Sequence, residues 1–145
     1  MDKILFYKVK ELYGEFSNFS LFGFTDADGI YWPTSEHYFQ AQKFASEELR
    51  EKIRNYSSPM DAALEGRKRE NPLRDDWEKV KDDVMFFAVY QKFSQNPTLK
   101  ELLLSTNELE IIEHTRNDSY WADGGDGSGK NMLGQILMEV RQMLR

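Results

Sequence analysis

The sequence predicts a mainly α fold: a single multihelical domain spanning residues 1–145, with a small N-terminal β-hairpin. Three observations lead there. Apolar residues recur at helical spacing through most of the stretch from Thr34 to about Thr106, and again near the C-terminus. Two short apolar runs flank Asp28-Gly29, a pair whose tolerance of positive φ suits a tight hairpin turn. A 145-residue chain that is 40% hydrophobic and 14% aromatic can bury one core.

In chain order, residues 4–9 alternate loosely and read as a short strand, and residues 19–24 and 30–32 supply the hairpin arms. After Trp32 the period changes. Pro33 cannot sit inside a helix, Thr34 or Ser35 can cap one, and Glu36 then falls in the first turn, where unpaired N–H groups favour a carboxylate. Gln40 follows Glu36 at i+4 and Lys43 at i+7, so one face is a polar stripe, while Tyr38, Ala41, Phe44 and Ala45 supply the apolar side. Residues 47–56 form a charged amphipathic helix. Ser58 caps the next, Pro59 opens it, Asp61 can reach back to the cap, and Gly66 ends it. Asn71-Pro72 is a break. The longest helix runs from Asp75 or Asp76 to Phe93 along Trp77, Val80 and Val84. Asn96-Pro97 opens another through Leu99 and Leu102 to Leu104. Residues 110–114 are extended and 117–131 are a polar, glycine-rich loop. Leu133, Leu137, Val140 and Leu144 then trace a final helix.

A formal charge of -6 argues against broad adhesion to nucleic acid or anionic membrane. Arg67, Lys68, Arg69 and Arg74 form a local basic cluster, read as a solvated helix end or a small basic pocket. The absence of cysteine removes disulfides, thiolate nucleophiles and every cysteine-containing zinc site. His37 and His114 lack partners at i+4, so each is expected to pack or hydrogen-bond rather than bind metal. No apolar run approaches membrane-spanning length and the first residues lack a secretory core, so the expected compartment is the cytoplasm.

The loop from Asn117 to Asn131 admits several readings. Gly124-x-x-x-x-Gly129-Lys130 begins like a phosphate-binding loop, but Asn131 stands where a magnesium-binding hydroxyl belongs. Asp123, Asp126 and Ser128 carry oxygen ligands without the calcium-loop spacing. The loop could be a plain turn with Trp121 in the core. Alternatively Trp121 and Tyr120 stack on a planar base, Asp118 or Asp123 faces a sugar, and backbone amides near Gly127-Ser128-Gly129 hold phosphate.

Glu15-Phe16-Ser17-Asn18-Phe19, the segment from Trp32 to Phe44, Gly66-Arg67, Trp77, Lys92-Phe93, Glu113-His114-Thr115, Asn117-Asp118-Ser119-Tyr120-Trp121 and Asn131-Met132-Leu133-Gly134 occur in order. Together they resemble the YbiA-like N-glycosidases, also called the NADAR family, over nearly the whole chain. That resemblance implies a mainly helical fold and cleavage of an N-glycosidic bond to ribose. For the branch this chain is most similar to, it implies phosphoribosylamino-pyrimidine substrates from riboflavin biosynthesis. An alternative within the family is removal of ADP-ribose from guanine in nucleic acid, the one reading that brings in a nucleic-acid partner. Another is a non-catalytic ADP-ribose reader. The family's acidic residue maps onto Glu36 and its Trp-Gly-Asp segment onto Trp121-Ala122-Asp123, so Glu36 and Asp123, with Asp118 as a second candidate beside Asp123, are the expected catalytic residues. Asn18, Phe19, Lys43, Arg67, Trp121 and Asn131 are the residues expected to bind substrate, with no metal, organic cofactor or membrane. On this reading Glu36 and Trp121 act on one buried sugar and its base. Ala122 departs from the family glycine, and a positive φ at that position would strain it.

Overall fold

The computed structural model describes residues 2–145, in which six α-helices and four short strands divide into two compact units. The mainly α class is as predicted. One unit is Leu21–Lys92; the other joins the segment up to Ser20 with Phe93–Arg145.

In the Leu21–Lys92 unit, β2 (Phe24–Thr25) and β3 (Tyr31–Trp32) pair antiparallel, with Phe24 opposite Trp32. The hairpin is shorter than the apolar runs suggested because Asp26 organises a five-residue connection. Its Oδ1 accepts from the Asp28 and Ile30 amides and its Oδ2 from Trp32 Nε1, while Gly29 takes φ +81°. Three helices of eight residues follow: α1 (Ser35–Gln42), α2 (Glu47–Arg54) and α3 (Pro59–Gly66), and α1 packs on both others. Thr34 and Ser58 cap α1 and α3 through their hydroxyls as the sequence predicts, and the structure adds a Ser46 cap on α2. Phe24, Trp32, Ala41, Phe44, Ile53, Ala62 and Ala88 form the core, with Tyr38 and Phe87 against it. Tyr38 meets Phe24 and Trp32 edge-on, both at 5.3 Å. Two expectations shift. Because α1 stops at Gln42, Ala45 lies off its apolar face and is exposed, and α2 stops at Arg54 so that Tyr56 packs inward.

The longest helix, α4 (Trp77–Gln95), begins in this unit and ends in the other. There α5 (Pro97–Ser105) follows, then β4 (Glu110–Glu113) and α6 (Met132–Met143). The first strand, β1 (Lys3–Phe6), pairs parallel with β4, setting Ile4 beside Ile111 and Phe6 beside Glu113. The sequence predicts both elements but not their partnership, since no local signal joins segments so far apart along the chain. Helix α6 lies directly on β4: a Cβ at Gly134 would sit 2.1 Å from the Ile111 carbonyl oxygen. Arg141 is buried in this packing and its Nη1 donates to Thr106 Oγ1 and the Leu109 carbonyl, tying α6 to the end of α5. Phe16 lies edge-on to both Phe6 and Phe93. No helix among the described residues is long and apolar enough to cross a membrane.

Candidate functional site

The predicted residues fall into two groups, one in each unit. The first is built on α1. Thr34, in extended conformation, accepts from the His37 amide at 3.0 Å, which starts the helix with Glu36 in its first turn. His37 is a packing residue, as its sequence context implied. Its Nε2–H donates to the Tyr56 carbonyl and its Nδ1 faces the Thr34 hydroxyl, and burial holds its pKa below the ordinary imidazole value.

Glu36 is only 7% exposed, and its Oε2 accepts from Gln40 Nε2 at 2.7 Å. One turn on, Lys43 is half-buried, with Nζ 3.4 Å from the Gly66 carbonyl oxygen and 5.9 Å from the Phe39 ring centre. Burial is the main influence lowering its pKa; Glu36 opposes the shift and Arg67 reinforces it. Glu36, Lys43 and Arg67 therefore form one electrostatic group where α1 meets α3. Arg67 is the C-cap of α3 and is exposed. The basic cluster does not act as a unit: Lys68 pairs with Glu65, and Arg74 grips Asp76 through Nε and Nη2. The partner that sequence reasoning missed is Gln40, a member of the polar stripe whose i+4 spacing from Glu36 is the signal for it.

The second group lies on the Ser17–Ser20 turn and on the loop between β4 and α6. Asn18 is buried and Phe19 half-buried, in a turn fixed by Ser20 Oγ donating to the Glu15 and Ser17 carbonyls. Asp118 Oδ1 accepts from the Tyr120 and Trp121 amides, both at 2.8 Å, so this carboxylate shapes the turn that presents the two rings. Those rings meet edge-on at 4.9 Å, and Lys130 Nζ lies 5.1 Å from the centre of Tyr120. Trp121 is half-exposed, unlike the buried indoles of Trp32 and Trp77.

Asp123 is 5% exposed. Its Oδ2 lies 2.7 Å from His114 Nδ1, and its Oδ1 accepts from the Thr115 and Gly125 amides. Burial pushes its pKa up, and the His114 and amide bonds together outweigh that, leaving it below the ordinary range. His114 is the hydrogen-bonding residue its sequence context implied, but its partner is not legible there. Nothing in a nine-residue separation across an irregular loop announces the pair.

The loop is heavily bonded within itself. Many of its amides donate within it: Gly124 to the Asp118 carbonyl, Gly129 to Asp123, Lys130 to Ser119, Met132 to Tyr120 and Leu133 to Trp121, while Ser128 donates to the Asp126 side chain. Of the three amides named for phosphate, those of Ser128 and Gly129 are thus already bonded within the loop. Asn131, expected to bind substrate, has every polar group engaged. Its Nδ2 donates to the Ile111 carbonyl, its Oδ1 accepts from the Glu113 amide, and its own amide donates to the Ala122 carbonyl. It is a clamp between β4 and α6. Ala122, by contrast, is unstrained: it is fully buried and does not adopt positive φ. The close approach falls instead at Gly129, where a Cβ would lie 2.5 Å from the Ala122 carbonyl oxygen.

Two concavities avoid most of these residues. One of about 470 Å³, lined by Asp26, Tyr38, Gln42, Arg50 and Phe87, lies in the Leu21–Lys92 unit, toward the α1 residues opposite the Glu36 stripe. The other, about 330 Å³, lies beside β1 between Leu5, Tyr7, Leu12 and His114. Neither is lined by Glu36 or Trp121. Among the described residues, no three His, Asp or Glu side chains are grouped to hold a metal ion.

Residues 5–145 match the NADAR domain family. The chain is 55% identical over 141 residues to N-glycosidase YbiA of Escherichia coli (strain K12), covering 97% of this chain and 88% of that one. It is 41% identical to an N-glycosidase of Nostoc punctiforme, covering 98% and 92%. It is also 42% identical to a riboflavin biosynthesis protein of Vibrio vulnificus, of which it spans 38%. The NMR structure of the E. coli protein YbiA superposes with a TM-score of 0.90 at 54% identity, covering 99% of this chain and 85% of that one. The chain belongs to the NADAR domain family and is an N-glycosidase.

Proposed function

We propose that this N-glycosidase hydrolyses phosphoribosylamino-pyrimidine intermediates of riboflavin biosynthesis. Water adds to the anomeric carbon and the C–N bond breaks with its electrons passing to nitrogen. A proton goes to the departing amine, giving ribose 5-phosphate and the free pyrimidine. The observation that carries the reading is Glu36, a carboxylate 7% exposed at the start of α1, gripped by Gln40 and neighboured by Lys43. A preorganised carboxylate suits a reaction whose transition state develops positive charge on the sugar, or whose water must be oriented. Lys43 and Arg67 are assigned to the 5′-phosphate. Trp121 and Phe19 are assigned to the faces of the pyrimidine and Asn18 to its polar edge. Asp123, with Asp118, supports the ribose through the loop that both shape. The leaving pyrimidine is a stabilised amine, so acid–base and electrostatic help suffice without a metal or organic cofactor. The metabolite assigned as substrate places the work in the cytoplasm.

The test incubates purified protein with the phosphoribosylamino-pyrimidine and, separately, with DNA carrying ADP-ribosylated guanine. Release of ribose 5-phosphate from the first and nothing from the second supports the proposal. The reverse result supports ADP-ribosyl glycohydrolase activity instead, and binding of ADP-ribose with no cleavage in either arm supports a reader. Glu36→Gln keeps the shape and removes the charge; kcat should fall about 10²–10³-fold, and near-wild-type turnover would refute the assignment. Trp121→Ala should raise KM and lower kcat together.

A further inference from the structure

We infer that Gln40 and Gly66 form a positioning device for Glu36, an inference that rests on the catalytic reading of Glu36. Gln40 is 4% exposed and joins Glu36 through Nε2 at 2.7 Å, yet its Oε1 is buried without a hydrogen-bond partner. Leaving a buried carbonyl oxygen unpaired is unfavourable, so this orientation of the amide needs a cause. Glu36 supplies it. Rotating the amide by half a turn would set its carbonyl oxygen against a carboxylate oxygen, two acceptors with no proton between them. The carboxylate thus fixes the amide, and the amide fixes the carboxylate.

Gly66 supplies the space. A Cβ there would lie 2.0 Å from Gln40 Oε1 and 2.7 Å from its Cδ. Glycine is disfavoured inside a helix, and Gly66 does not take a positive φ that would require it. The group that a side chain at the end of α3 would displace is the Gln40 carboxamide. The unpaired oxygen rests against the Gly66 Cα, while the Gly66 carbonyl oxygen meets Lys43 Nζ from α1. One residue of α3 thereby sets two side chains of the Glu36 stripe.

The experiment compares Gln40→Met, Gly66→Ala and their combination with Glu36→Gln, using the phosphoribosylamino-pyrimidine and release of ribose 5-phosphate. Gln40→Met keeps the length, removes the donor and removes the orphaned oxygen. Each single variant should lower kcat about 10–100-fold with KM changed less than about threefold. The double variant should lose little more than either single, because both act through one amide. Independently of turnover, the Gln40 side-chain NH₂ pair should shift in the ¹⁵N–¹H spectrum of both Glu36→Gln and Gly66→Ala. Additive losses, a loss confined to KM, or an unmoved NH₂ pair in Gly66→Ala would overturn the inference while leaving Glu36 catalytic. Wild-type turnover in Glu36→Gln would instead overturn the catalytic reading and the positioning role with it.

Discussion

Replacing Glu65 by glutamine should remove much of what holds the end of α3. The side chain is 3% exposed, yet four donors surround it. Tyr56 Oη donates to Oε1 at 2.6 Å, Asn71 Nδ2 to Oε2 at 2.9 Å, and Lys68 and Lys52 reach Oε1 at 3.2 and 3.3 Å. The Tyr56 and Asn71 bonds lead the effects that pull its pKa from 4.5 to about 2. At about 1.4 kcal/mol per pKa unit, the depression bounds the charge contribution at about 3 kcal/mol. The two lysines are half-exposed and their share is screened by solvent, so about 2 kcal/mol is the working figure. In Glu65→Gln one amide hydrogen pair must also face Asn71 Nδ2 or the lysines, donor against donor. The melting temperature should fall roughly 5–8 °C for a chain of this size. Because the folded pKa is depressed, the contribution is complete above the unfolded value near 4.5 and lost as pH falls through about 2. Circular-dichroism melts at pH 7 and pH 3 give the assay. The wild-type-minus-variant difference should be large at neutral pH and shrink in acid. Equal melting temperatures at pH 7, or a difference that does not shrink, would refute the reasoning.

Asn131→Ala strands the Ile111 carbonyl and Glu113 amide and puts alanine at φ 54°; it should destabilise by about 2–4 kcal/mol in denaturant titration. A change in KM at undiminished stability would return Asn131 to the substrate. Ala122→Gly restores the family residue where no positive φ calls for it, so it should cost about 1 kcal/mol and give no gain in kcat.

Much of the α1 group is legible in the sequence through local chemistry. Pro33, the Thr34 cap and the i, i+4, i+7 spacing put Glu36, Gln40 and Lys43 on one stripe, because a helix has one period and its start is marked by its cap. The loop is legible only as a loop. Its carboxylates bind backbone amides and His114 according to how the chain bends, and irregular backbone has no period to read. Hence residue type points to Asp118, Asp123 and Asn131 but not to the partners the packed loop gives them.

The family, the helix starts and the charged stripe of α1 follow from the order of residues, since caps, periods and long ordered motifs are properties of neighbours along the chain. The parallel pairing of β1 with β4, the lodging of Gln40 against Gly66 and the capture of Asp123 by His114 belong to tertiary structure. Each joins residues whose separation in sequence carries no spacing rule. Only the packed backbone brings an oxygen to a Cα, or a carboxylate to an imidazole, at contact distance.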